Sequence, residues 1–185
     1  MRVARLKTDR KRHLAVPAGE NDHRQGDSHA PLVLVEYADY ECPYSGEADR
    51  IVKELQQALG DRLCFVFRNF PVSDKHDHAE QAAEAAEAAA AQGLFWEMHD
   101  LVFENQDALT DQDLLEYAVE AGVQRSRWLH ELQSGRCAER VLADARSGNE
   151  SGVRGTPTFF INGVRHPGDY DLDTLLTALT TKAAA

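Results

Sequence analysis

Two short stretches hold the residues best suited to sulfur chemistry. Cys42-Pro43-Tyr44-Ser45 sets a thiol three residues ahead of a hydroxyl. It follows the apolar run Leu32-Val33-Leu34-Val35 and leads into an amphipathic helical pattern from Glu47 to Leu59. A cysteine where a strand hands over to a helix meets the first helical amides and the positive end of the dipole. Both favour the thiolate, which is the nucleophile. Ser45 lies one helical turn on and can hydrogen-bond that sulfur, but it cannot expel a substrate thiol from a mixed disulfide. A site with one sulfur holds no internal disulfide. It exchanges with one substrate sulfur and then waits for an external thiol. Isomerisation, or removal of a small-thiol adduct, fits it better than de novo disulfide formation. The competing reading of Ser45 is a tolerated surface serine on a retired site. The second stretch, Gly155-Thr156-Pro157-Thr158-Phe159-Phe160, opens an apolar run with a Thr-Pro step.

Other titratable and sulfur-bearing residues admit plainer roles beside chemical ones. Glu36, six residues before Cys42, is flanked by apolar residues. Buried beneath the thiol it would have a raised pKa and accept protons; as a strand-end carboxylate it would reach solvent. Cys64 falls inside a second apolar run, Leu63 to Phe67, and reads as a small packing residue. Cys137 falls on a helical segment between Arg136 and Arg140. Those guanidinium groups would lower its pKa and make it a distant resolving thiol, although an incidental cysteine is the better account. His76-Asp77-His78 and His99 lack the spacing of a metal site. Asp77 as a helix cap and His78 as a packed residue explain them better, and no metal is expected. Phe95, Trp96 and Met98 form a core stripe.

The elements that must position these groups follow from periodicity. Leu32 to Ala38 alternates, with Val33, Val35 and Tyr37 on one face and Leu34 and Glu36 on the other. A helix begins near Pro43, a residue favoured in the first turn. It buries Ile51, Val52, Leu55 and Leu59 and ends at Gly60. A strand over Leu63–Phe67 and a turn around Asn69-Phe70-Pro71 come next. From His78 to about Ser151 the pattern is helical: an Ala-rich segment with Glu80, Glu84 and Glu87 as a solvated acidic edge, then Leu94 to Glu104, a helix capped by Thr110 or Asp111 and stopped at Gly122, then Arg125 to Gln133 and Arg136 to Arg146. Thr158 to His166 reads as a hairpin turning at Asn162-Gly163. Asp171 or Asp173 caps a last helix, Leu172 to Leu179.

The 185 residues suffice for one domain with a proper core, and 43% apolar content is ordinary for a globular protein. A formal charge of −11 argues against nucleic acid as a partner. The first dozen residues are nonetheless basic, through Arg2, Arg5, Lys7, Arg10, Lys11 and Arg12. No apolar segment follows that would make them a signal peptide, and none is long enough to span a membrane. Residues 1–30 are expected to form a largely extended, weakly ordered arm. Three widely spaced cysteines cannot all pair, which points to a reducing compartment and a cytoplasmic setting.

Strand, helix, strand, a block of helices, hairpin, helix is a βαβ half joined to a ββα half. The stretches Val35-Glu36-Tyr37-Ala38-Asp39-Tyr40-Glu41-Cys42-Pro43-Tyr44, Phe67-Arg68-Asn69-Phe70-Pro71, Phe95-Trp96-Glu97-Met98-His99-Asp100 and Gly155-Thr156-Pro157-Thr158-Phe159-Phe160-Ile161-Asn162-Gly163 resemble the DsbA-like thioredoxin family, closest to its bacterial stand-alone and transporter-fused members. The resemblance covers roughly residues 30–180. It implies an α/β thioredoxin fold over 31–182 with a helical insertion at about 78–151, and thiol–disulfide oxidoreductase or isomerase activity. Members usually carry Cys where this chain has Ser45. By resemblance Cys42 is the nucleophile, Glu36 the buried acid, and Pro157 a cis-proline facing Cys42. Gly155, Thr156 and Pro157 would position an extended substrate strand, and Pro43 and Tyr44 would shape the rim. Protein or small-molecule thiols and disulfides are the implied partners. A low-molecular-weight thiol, glutathione or an analogue, is the implied co-substrate, with no bound cofactor. Two alternatives keep the fold: a glutathione-dependent transferase or isomerase of kappa type, which uses a serine at the start of this helix, and a degenerate domain that binds extended peptides.

Overall fold

The computed structural model describes residues 12–182. The basic residues Arg2, Arg5, Lys7, Arg10 and Lys11 lie outside the described residues. Along the rest of the chain come β1 (His23–Gln25), β2 (Leu32–Ala38), α1 (Pro43–Leu59), β3 (Leu63–Asn69), α2 (Ala79–Ala90), α3 (Phe95–Glu104), α4 (Asp111–Glu120), α5 (Arg125–Gln133), α6 (Arg136–Glu150), β4 (Thr158–Ile161), β5 (Val164–Arg165) and α7 (Leu172–Lys182). The sheet has five strands in the order β1-β3-β2-β4-β5. Strands β2 and β3 run parallel across α1, while β4 joins the other edge of β2 antiparallel. The two expected halves therefore meet at the β2–β4 pair, with helices α2–α6 inserted between them.

Strand alternation decides what each face of the sheet carries. Leu32, Leu34 and Ala38 of β2, with Phe65 and Phe67 of β3, bury against α1, α7 and the insertion in the larger core. Val35 and Tyr37, with Cys64, Val66 and Phe160, face a smaller cluster completed by Phe70 and Val153. Glu36 shares the face of Leu34, level with Phe67 on β3 and Phe159 on β4. The burial of each large apolar side chain contributes about 1.5–3 kcal/mol, so the sheet between these two layers is the rigid platform for the site. Its β4–β5 turn uses Asn162 and Gly163 at φ 48° and 78°, the left-handed pair that a two-residue hairpin needs.

The structure corrects the sequence reading of the fold in four places. Residues 12–30 are not a loose arm. His23–Gln25 pairs with β3, and Asp22 meets the fully buried Arg68 through two bonds of 2.8 and 2.9 Å. Helix α6 runs on to Glu150 instead of stopping at Arg146. Gly148 is required there, because a Cβ at that position would lie 2.7 Å from the Phe70 ring and 3.0 Å from Tyr37. Glu87 is not part of a solvated edge; it is buried and accepts from His23 Nε2 at 2.9 Å and Asn69 Nδ2 at 2.7 Å. Asp77 does not cap α2. The amide of His78, the residue ahead of that helix, donates instead to Glu41 Oε2 at 2.6 Å.

Candidate active site

The loop between β2 and α1 is built around Asp39. Its carboxylate accepts from the amides of Glu41 (2.9 Å) and Val72 (2.7 Å) and pairs with His76 Nδ1 at 2.8 Å. Its carbonyl accepts from the Cys42 amide at 3.1 Å. The other support is Gln106, from the loop after α3. Its Nε2 donates to the carbonyls of Tyr40 (2.7 Å) and Cys42 (2.9 Å). These bonds hold Cys42 as the N-cap of α1, with extended backbone (φ −77°, ψ 119°) and Pro43 in the first turn. Sequence reasoning missed Asp39 and Gln106 as positioning residues. An Asx turn three residues ahead of Cys42 was a readable signal for Asp39; nothing in the sequence joins Gln106 to residues 64 and 66 positions earlier.

Cys42 Sγ lies 3.4 Å from the carbonyl oxygen of Thr156. The Thr156–Pro157 peptide bond is cis, as the resemblance implied. Cys42 is 5% exposed, while Tyr44, two residues on, is 64% exposed and forms the rim with the exposed Pro43. The sulfur is thus nearly closed off where α1 meets the Gly155-Thr156-Pro157 loop. A polar crevice of about 180 Å³ runs from Pro157 along Phe159 and Arg165 to Tyr170. Tyr170 donates to Glu47 Oε2 at 3.2 Å. Burial and the Glu47 carboxylate push its hydroxyl up to about 12.

Ser45 is placed differently from expectation. It is fully buried, so it is not a surface serine. Its hydroxyl accepts from the Asp39 amide at 3.3 Å, and its link to Cys42 runs through backbone, Ser45 N to Cys42 O at 3.0 Å. Ser45 thus closes the Asp39–Ser45 loop instead of bonding the sulfur through its side chain.

Glu36 takes the buried alternative. It is 2% exposed, and one carboxyl oxygen, Oε1, has no hydrogen-bond partner among the described residues. Burial, with further repulsion from Asp49 and Cys42, holds its pKa well above the ordinary carboxyl value. Around it lies a polar network within the core. Tyr40 OH contacts His99 Nδ1 at 2.9 Å, His99 Nε2 contacts Asp49 Oδ1 at 3.4 Å, and Lys53 Nζ bridges Asp49 and Asp100 at 2.9 and 3.0 Å. Asp49, His99 and Asp100 stand close enough to share a cation, and the Lys53 ammonium already pairs with both carboxylates. Burial lowers the pKa of His99 against the pull of Asp49.

The other cysteines are buried elsewhere, and all three are free. Cys64 packs with Val66 and Phe160 as expected. Cys137 is not activated. Arg136 pairs with Glu131 and Arg140 with Asp144. Burial, then Glu87, Glu131 and Glu84, push the Cys137 thiol up to about 11. His76 and His78 pair with Asp39 and Glu41 separately and share no ligand set.

A five-stranded α/β platform with a helical insertion, and a lone cysteine capping a helix opposite a cis-proline loop, define a thioredoxin-type protein of the DsbA-like plan. The chain belongs to the thioredoxin family, whose profile matches residues 18–181. A Na(+)/H(+) antiporter of Salinispora tropica, NhaA 3, is 44% identical over 173 residues, 93% of this chain but 26% of that protein. The chain thus spans about a quarter of the length of the curated relatives it matches. Among solved structures, a thioredoxin-like oxidoreductase from Silicibacter pomeroyi superposes with a TM-score of 0.81 at 23% identity, covering 90% of this chain and 95% of that one. Oxidised BdbD from Bacillus subtilis gives 0.81 at 22%, covering 94% and 99%. At such identities the likeness speaks to the fold.

Proposed function

We propose that this chain is a thiol–disulfide oxidoreductase or isomerase that works through Cys42 alone, with an external low-molecular-weight thiol resolving the mixed disulfide. The observation that carries this reading is the pairing of Cys42 Sγ with Thr156 O at 3.4 Å, at the cap of α1, with Cys64 and Cys137 buried elsewhere. The oxidoreductases among the fold neighbours support the same reaction class.

In the proposed cycle the Cys42 thiolate attacks one sulfur of a substrate disulfide. The S–S bond breaks, a Cys42–substrate disulfide forms, and the departing thiolate takes a proton. Glu36, buried and near enough for its charge to feel Cys42, moves that proton. With no second sulfur in the site, a small thiol such as glutathione then attacks as its thiolate and frees Cys42. For a protein carrying a glutathione adduct, the net products are the reduced protein and glutathione disulfide. The proposal includes a reducing setting that supplies this thiol. Ion exchange is named for the longer relatives, of which this chain spans about a quarter; among the described residues no helix is long and apolar enough to cross a membrane.

The test uses a chain with Cys64→Ala and Cys137→Ala, a peptide–glutathione mixed disulfide and excess glutathione. Turnover is expected, with a trapped Cys42 adduct seen by mass spectrometry, and Cys42→Ala should abolish both. Turnover that survives Cys42→Ala would sink the proposal. The slight exposure of Cys42 favours one competing reading, a peptide-binding domain without chemistry. Under that reading, peptide capture is unchanged in Cys42→Ala and no adduct ever forms.

A further inference from the structure

A large cleft lies in the helical insertion, apart from the residues around Cys42. It measures about 740 Å³ and opens between α2, α4 and α5. That is within the roughly 300–1,000 Å³ of clefts that bury a drug-sized ligand. Its floor is apolar. Leu114 and Trp128 are buried, and the Trp128 indole nitrogen is already satisfied by the Ala85 carbonyl at 3.0 Å. Leu115, Leu129 and Leu132 are only partly buried, so three leucines on two helices leave apolar surface facing this space.

The rim is charged unevenly. Glu84, Asp111 and Glu116 stand against Arg125, three negative groups to one positive. Glu84 differs from the other two. It sits half-buried in the middle of α2 and has neither a hydrogen-bond partner nor a cation among the described residues. Burial and the neighbouring Glu80 raise its carboxyl pKa, the response of a charge without a counter-ion. A positive group placed beside it would relieve that cost.

We propose that this cleft binds an organic cation of drug size, its apolar body against Leu115, Leu129 and Leu132 and its positive charge against Glu84. An anionic or neutral ligand of the same shape gains the apolar contact but leaves the carboxylate uncompensated. The cleft uses none of the residues that hold Cys42, so the proposal is independent of the exchange chemistry.

Calorimetric titration of the full chain with octylammonium, octanol and octanoate tests it. Octylammonium is expected to bind about tenfold more tightly than octanol, with octanoate weakest. Glu84→Gln should bring octylammonium and octanol to equal affinity, and Leu115→Gln should weaken all three. Both variants should keep the circular dichroism and the Cys42 exchange rate of the parent. If Glu84→Gln disturbs the fold, Glu116→Gln provides a second reading of the charge preference. Equal binding of octanoate, an unchanged preference in Glu84→Gln, or no saturation by octylammonium would overturn the assignment. So would a basic apolar peptide that displaces octylammonium and binds more tightly than it does.

Discussion

Cys42 Sγ and the Thr156 carbonyl oxygen sit 3.4 Å apart although 114 residues of chain separate them. The β2–β4 pairing makes this possible. Tyr37 lies opposite Thr158 in the antiparallel register, so the chain leaving β2 and the chain entering β4 pass over the same end of the sheet. The thiol is thereby held beside the backbone of the Gly155-Thr156-Pro157 loop.

Restoring the second sulfur should change the reaction. Ser45 is fully buried, and its hydroxyl accepts only a long 3.3 Å bond from Asp39 N. Ser45→Cys should therefore cost about 0.5–1.5 kcal/mol at most. The new thiol would lie one helical turn from Cys42 and form an internal disulfide with it on mild oxidation. Thiol counts in denaturant should show four free thiols when reduced and two when oxidised, the native three cysteines plus the added one. Oxidation of a dithiol peptide should become measurable. A variant that stays fully reduced under the same oxidant would contradict the geometry.

Glu36 should leave a signature in the pH dependence of stability. Its unfolded carboxyl releases the proton near 4.5, while the folded one holds it to a considerably higher pH. Between those values the folded state binds more protons, so stability falls as pH rises, with a slope of at most about 1.4 kcal/mol per pH unit. Glu36→Gln mimics the protonated form and should remove that slope, raising stability at neutral pH. It should also slow exchange about a hundredfold through loss of the group that moves the proton to the departing thiolate. Urea denaturation from about pH 4 to 8 reads the first effect and adduct turnover reads the second. Parallel profiles for the two proteins would show that the carboxyl is not held protonated.

Gly46→Ala tests how tightly the loop is held. A Cβ there would lie 2.0 Å from the Gln106 amide oxygen, in the first turn of α1. Gln106 would have to leave, releasing its bonds to the Tyr40 and Cys42 carbonyls. The expected cost is about 1–3 kcal/mol, together with slower exchange and faster hydrogen exchange at residues 40–46. Gln106→Ala should reproduce the kinetic effect. If the crowded alanine slows exchange while Gln106→Ala does not, the loop rather than the glutamine sets the position of Cys42.

Much of this architecture was legible because it is local. Alternation in Leu32 to Ala38 put Glu36 and Tyr37 on opposite faces, and Pro43 and Gly60 marked both ends of α1. What stayed hidden depends on contacts distant in sequence. Glu87 in an Ala-rich helix looks solvated until His23 and Asn69 are brought to it. The arginines beside Cys137 left an activated thiol as the lesser alternative, and that alternative falls because both are paired elsewhere and burial with three glutamates raises the thiol. Ser45 has the right spacing to reach Cys42, yet its hydroxyl goes to Asp39, because the loop turns back before the helix begins. Spacing along a helix fixes which residues are neighbours; it does not fix which partner a side chain takes.

The strap formed by residues 12–25 gives a prediction that separates stability from chemistry. Arg68 is 2% exposed and bonds Asp22 twice, the carbonyls of Val16 and Pro17, and the Tyr37 hydroxyl. Asp22→Ala leaves the guanidinium buried with polar partners but no counter-charge, at a cost of about 3–5 kcal/mol. Asp22→Asn keeps hydrogen bonding and should cost less. Contacts with Arg68 and the Gly19 amide, outweighing burial, hold the Asp22 carboxyl below its ordinary value. The strap's contribution is therefore complete above about pH 4 and is lost as pH falls through the lowered value. Tyr37 faces away from the side of the sheet that carries Glu36, so the folded fraction of Asp22→Ala should exchange disulfides at the parent rate. Urea titration with limited proteolysis at residues 12–25 measures the loss, and turnover per folded molecule measures the chemistry. A rate that fell in proportion to stability at low urea would mean that strap and thiol are coupled through the sheet.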